Sequence, residues 1–142
     1  MAYAFWERSV LESFMKSGWS QTPVKWENTP FTVPKDNGSY APYVAFSLKS
    51  GTGHVASLGS SLLQRAVSLA VIQVFVPEST GSGVRLRYVD ELLDLWRAQD
   101  LTDGVNVIRT RPSYHLSVGV DRGWFESQVI VPYMLDNPVP NH

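Results

Sequence analysis

Apolar residues recur at helical spacing twice along this chain, and elsewhere they alternate. Near the N-terminus Tyr3, Trp6, Val10 and Phe14 form a stripe that Leu11 and Met15 widen, while Glu7, Arg8, Glu12 and Lys16 face away. This predicts a helix over residues 3–18, with Gly18 as its stop. Val84, Tyr88, Leu92, Leu95 and Trp96 make the second stripe. It predicts a helix over residues 84–98, capped by Ser82 and broken by the Thr-Asp-Gly that begins at Thr102.

The alternating stretches predict strands. A short one covers residues 24–27. In YVAFSLK, Val44, Phe46 and Leu48 oppose Tyr43, Ala45 and Ser47, which implies one buried face. Over residues 64–76 both alternating sets are apolar: Val67, Leu69, Val71 and Phe75 against Ala66, Ile72, Val74 and Val76. That suits a central strand covered on both sides, and the Val/Ile run with Pro77 behind it favours strand over helix. Residues 105–109 read as another short strand. Tyr114, Leu116 and Val118 then alternate, GVDRG turns, and Phe125, Val129, Val131, Tyr133 and Leu135 alternate again, which is a hairpin. The sum is an α+β fold, two amphipathic helices packed on an antiparallel or mixed sheet of about five strands. Residues 1–136 read as one domain and 137–142 as an extended tail.

Composition narrows the function. The 142 residues carry a net charge of −1, so no general pull toward nucleic acid is expected. Arg85 with Arg87 and Arg109 with Arg111 cluster locally, but Asp90, Glu91, Asp94 and Asp103 lie close by and suggest solvated charges of mixed sign. The absence of cysteine removes disulfide and thiolate chemistry. The longest apolar region, residues 66–76, is too short for a membrane span, and the N-terminal residues lack the pattern of a secretory signal. Aromatic content of 12%, with five tryptophans, changes the picture, because rings beyond the needs of a small core suit contacts with partners.

Catalytic motifs fail on inspection. The strand, turn and helix around PESTGSGV resemble a phosphate loop in layout, but no lysine follows Gly81 or Gly83 and Glu78 would repel phosphate. Around Ser57 the sequence VASLG has Val55 where a nucleophile elbow needs glycine. His54, His115 and His142 are too isolated in sequence for a metal site. Asp90 and Asp94 share a helical face with Arg87 and Arg97 near them, which reads as a solvated surface. No cofactor is implied. A binding role leaves other traces: Phe31, Val33, Tyr40, Val55 and Leu58 are apolar residues in glycine- and proline-containing connections, and Trp124 falls on the strand face opposite the apolar one.

Several phrases, in order, carry a resemblance: WENTPF from Trp26, PYVAFSL from Pro42, SLG from Ser57, QVFVP from Gln73, GSG opening a helix, and GWFESQVIVPYMLD from Gly123. Over roughly residues 26–136 the chain resembles the tail terminator and tail-completion proteins of long, non-contractile-tailed bacteriophages. The resemblance implies an α+β subunit of a homohexameric ring on the tail tube, at the head-proximal end of the virion tail, assembled in the bacterial host cytoplasm. It further implies contacts with the major tail tube protein and a head–tail connector protein, DNA passing only through the lumen, and no catalytic residues. The contact candidates are the loops at residues 29–40, 54–60 and 78–83, represented by Phe31, Val33, Tyr40, His54, Leu58, Ser79 and Thr80, together with Arg85, Arg87 and Trp124. A head-completion or connector ring and, more remotely, a small-ligand-binding domain are the alternatives.

Overall fold

A computed structural model describes residues 4–49, 54–55, 64–78, 81–102 and 107–136. The first helix, α1 (Ala4–Gly18), buries Leu11 and Met15 fully and flanks them with Trp6, Val10 and Phe14. The chain then enters β1 (Val24–Trp26), followed by a ribbon of β2 (Lys35–Asp36) and β3 (Ser39–Tyr40), and by β4 (Tyr43–Lys49). Next come β5 (His54–Val55) and the long β6 (Gln64–Pro77). After α2 (Ser82–Leu95), four strands complete the chain: β7 (Asp100–Thr102), β8 (Val107–Thr110), β9 (Tyr114–Asp121) and β10 (Trp124–Asp136).

The main sheet runs β1-β4-β6-β10-β8-β7, with β5 on β6 and β9 on β10. It is mixed, because β1 lies parallel to β4 while every other pair is antiparallel. Two long strands explain the layout. β6 and β10 pair along their whole lengths, from Arg65 against Asp136 to Pro77 against Trp124. Each offers its outer edge to two shorter strands: β4 and β5 share that of β6, and β9 and β8 share that of β10.

Both helices pack on one face. Their core residues, Leu11, Met15, Trp19, Val89, Leu92 and Trp96, meet Val44, Phe46, Ile72, Val74, Val129 and Val131 of the sheet. Trp96 is the centre, with Phe14 edge-on at 4.6 Å and Phe46 stacked at 6.1 Å. Gly18 allows the helices to meet, since a Cβ there would run into Leu95.

The structure corrects several sequence expectations. The main sheet has eight strands among the described residues, more than about five, because two-residue and three-residue strands such as β5 and β7 are too short to show a period. The segment expected to be irregular at 29–40 contains the β2–β3 ribbon. Asn37 and Gly38 both take positive φ, 52° and 81°, as a two-residue hairpin turn requires. Ser82 is the first residue of α2 rather than its cap. Gly81, at φ 83°, takes the cap position and no side chain caps the helix. The helix ends at Leu95, and Ala98 turns the chain with φ 48°. Glu7, expected to face away, is half-buried and accepts a hydrogen bond from the Tyr133 hydroxyl.

That last contact has a measurable consequence. Burial first, then the hydrogen bond to Glu7 and its charge, push the Tyr133 phenol well above its ordinary value. A raised folded-state value means stability is complete below the unfolded phenol's value of about 10 and declines as pH climbs past it. In an alkaline absorbance titration of the six tyrosines, Tyr133 should stay protonated until the protein unfolds. Full ionisation of all six before any loss of far-UV circular dichroism would contradict this.

Candidate interaction surface

With both helices behind it, the sheet leaves its other face without a helix among the described residues. The register assigns this second face to Tyr43, Ala45 and Ser47 of β4, to Leu69, Val71, Gln73 and Phe75 of β6, and to Glu126, Gln128 and Ile130 of β10, of which Ala45, Val71 and Ile130 are buried. It has a polar centre. The side-chain amides of Gln73 and Gln128 both donate to one Glu126 oxygen, each at 2.9 Å. Burial, and then the negative charge of Glu126, raise the Tyr43 phenol above its usual value.

One end of this face is an aromatic cluster. Tyr43 stacks on Phe75 at 4.9 Å, Phe31 tilts against Tyr43 at 5.1 Å, and Trp124 meets Tyr43, Tyr40 and Phe75 at 5.2, 5.5 and 6.5 Å. Lys35 sits over the outermost ring, 5.3 Å from the Tyr40 centroid. The rings thus bind the β2–β3 ribbon to the sheet, and the backbone N–H of Ala41 donating to Pro34 closes its base at 2.9 Å.

The motif Trp-Glu-Asn-Thr-Pro-Phe prepares this arrangement. Trp26 packs on Phe46 at 5.6 Å, and the Glu27 carboxylate accepts the Leu48 backbone N–H at 2.8 Å. Asn28 takes φ 52°, and the Thr29 hydroxyl donates to the Glu27 carbonyl at 2.9 Å, which turns the chain and delivers Phe31 to Tyr43. At the other end of the chain Gly123, at φ 85°, completes the turn that sets Trp124 into the cluster.

Three sequence candidates therefore come together: Phe31, Tyr40 and Trp124. Val33, half-buried, lies on the segment between the first two. Arg87 is exposed on α2, away from the cluster. Arg85 is turned inward, with 7% of its surface exposed. Its guanidinium donates to the Ser127 hydroxyl at 2.7 Å and lies 4.1 Å from the Phe125 ring centroid. It ties α2 to β10 and is withdrawn as an exposed contact. His54 lies in β5, where its backbone pairs with Arg65. Leu58, Ser79 and Thr80 lie outside the described residues.

Sequence reasoning missed β9 as a surface. Tyr114, Leu116, Val118 and Val120 are about half exposed. His115, too isolated in sequence for a metal site, has a buried Nε2 without a hydrogen-bond partner among the described residues.

Among the described residues no three of His, Asp or Glu are grouped to hold a metal ion, and no helix is long and apolar enough to cross a membrane. An open hollow lined by Leu93, Arg97, Ala98, Thr110, Pro112 and Ser113 contains one charged group, Arg97, and Asp94 already pairs with it at 2.8 Å.

A helix-backed mixed sheet with a cluster of rings on its outer side defines a two-layer α+β fold. Comparison with known proteins gives the family. The sequence profile described as "Phage tail terminator protein" matches residues 8–133, so this chain belongs to the phage tail terminator protein family and has a structural role in the phage tail. No curated protein sequence matches it. Among the solved structures, one with 19% sequence identity aligns over 94% of this chain and 98% of its own, with a TM-score of 0.60. At that identity the likeness speaks for the fold alone.

Proposed function

We propose that copies of this chain form a ring, expected to be a hexamer, that seats on the end of the phage tail tube, stops its growth and offers a surface to the head connector. The partners are then the chain itself, the major tail tube protein and the connector protein, with DNA passing through the lumen. The family match over residues 8–133 carries this reading. The aromatic cluster at the ribbon end, with Tyr40 exposed, supports it, because a ring requires each subunit to present two different complementary patches to its neighbours. Phe31, Val33, Tyr40 and Trp124 are the contact residues proposed at the ribbon end. The protein acts by shape and performs no bond-breaking.

Subunits that closed into rings spontaneously would compete with the tube for their own surfaces. We therefore expect ring closure only at a tube end. Purified chain added to tail tubes polymerised without a terminator should give tubes of fixed length with a terminal ring in negative-stain micrographs. Unchanged, open-ended growth would refute the capping role, and a stable hexamer of the free chain at micromolar concentration would refute tube-dependent closure.

A further inference from the structure

The tip of the β2–β3 ribbon carries a reactive pair. Asn37 and Gly38 form the one Asn-Gly step in the chain, and both residues are exposed. A side chain on the following residue hinders attack on an asparagine amide, but Gly38 has none and the space beside it is open. Its N–H donates no hydrogen bond among the described residues, since the turn is closed by the pairing of Asp36 with Ser39. A free backbone nitrogen next to an exposed carboxamide is the arrangement in which asparagine cyclises.

We propose that Asn37 is a site of spontaneous deamidation, and that the attachment of the ribbon to the sheet sets its rate. The Gly38 nitrogen gives up its proton and attacks the Asn37 Cγ, forming a C–N bond. The bond from Cγ to the side-chain nitrogen breaks, that nitrogen takes the proton, and ammonia leaves a five-membered succinimide. Water then opens the ring. Its attack at Cγ gives aspartate, and its attack at the main-chain carbonyl gives isoaspartate, whose backbone runs through Cγ. One water is consumed and one ammonia released, with no change of oxidation state.

The folded turn opposes the first step. Asn37 has φ 52°, and the ψ of about +47° that belongs to the left-handed region turns the Gly38 nitrogen to the far side of the Cα–C bond from Cβ. Attack therefore requires the ribbon to open. Its two paired positions, Lys35 with Tyr40 and Asp36 with Ser39, are too few to hold a hairpin alone. The contact of Tyr40 with Trp124 at 5.5 Å holds it to the sheet, so loosening that contact admits the reaction. Asn28 provides the contrast. It also has φ 52°, but the β-branched Thr29 follows it and shields its amide.

Isoaspartate adds one backbone carbon to a two-residue turn, which takes Tyr40 out of register with Lys35. Loss of capping as the subunit ages rests on the ribbon being a contact patch; the chemistry does not.

Ageing the parent chain and Tyr40→Ala in mildly alkaline buffer, with and without urea, tests the proposal. Mass spectrometry follows the tryptic peptides 36–49 and 26–35. Peptide 36–49 should gain the mass difference between an amide and a carboxyl and split into two chromatographic species, while 26–35 keeps its mass. Urea should speed the conversion. Tyr40→Ala, at an exposed residue outside the core, should speed it about two- to tenfold, the weight of one ring contact. Circular dichroism confirms that this variant folds. Asn37→Gly, which keeps a pair suited to the turn, should abolish the mass gain. An unchanged peptide 36–49 even in urea would overturn the site. Equal rates with and without urea, or a folded Tyr40→Ala that ages like the parent, would overturn its control by the ribbon. The capping assay on aged samples is scored separately: a chain that deamidates and still caps keeps the chemistry and removes the ribbon as a contact patch.

Discussion

Trp96→Ala should destabilise this protein by about 3–5 kcal/mol, the cost of emptying a large aromatic site in a packed core. Trp96 is fully buried where α2, α1 and β4 converge, against Phe14 and Phe46. No smaller neighbour can collapse into a space that three elements border. Against the roughly 5–15 kcal/mol that holds a typical domain together, such a loss leaves little margin. Trp96→Phe should cost far less. Its indole N–H has no hydrogen-bond partner among the described residues, so removing the nitrogen discards a buried donor that gains nothing from them. Urea denaturation of both variants decides the matter. Equal losses would mean that the N–H has an acceptor and that shape is the lesser part.

The second large effect is expected at Trp124. Its ring touches Tyr40, Tyr43 and Phe75, and each such contact contributes about 0.5–1.5 kcal/mol beyond the buried area. Trp124→Ala should therefore cost about 2–4 kcal/mol. More tellingly, it should free the ribbon, because Tyr40 loses the sheet-borne ring that it rests on. Limited trypsin digestion should then cleave after Lys35 at a rate well above that of the parent chain, while Trp96→Phe leaves that site as protected as before. If Trp124→Ala lowers stability without exposing Lys35, other contacts hold the ribbon.

Long elements with a clear period were readable in the sequence. The stripe of Leu11 and Met15, the two-sided apolar run of β6, and the β9–β10 hairpin all appear where the pattern places them. Short strands were not, since β5 and β7 contain too few residues to alternate. The β2–β3 ribbon has a signal in Asp-Asn-Gly-Ser, a hairpin turn sequence, but it is set among prolines that favour irregular chain. The interaction surface was half legible. Loop aromatics could be recognised as out of place, whereas their convergence on Trp124 depends on a turn at Asn28 and on strand register. Arg85 shows the limit from the other side. A charged residue beside a glycine turn gives no sequence sign that it will point inward to a serine forty-two positions away. For Tyr114 and Leu116, alternation showed which residues share a side, and only the structure shows that both are about half exposed.

The placement of β10 has a consequence for biosynthesis. Among the described strands β10 is made last yet lies in the middle of the sheet, and β6, its chief neighbour, leaves the ribosome long before it. Until β10 emerges, the nascent polypeptide carries an apolar ribbon with one side unclaimed, a state prone to sticking to other chains. Removing β10 would therefore yield insoluble product rather than a trimmed, working subunit.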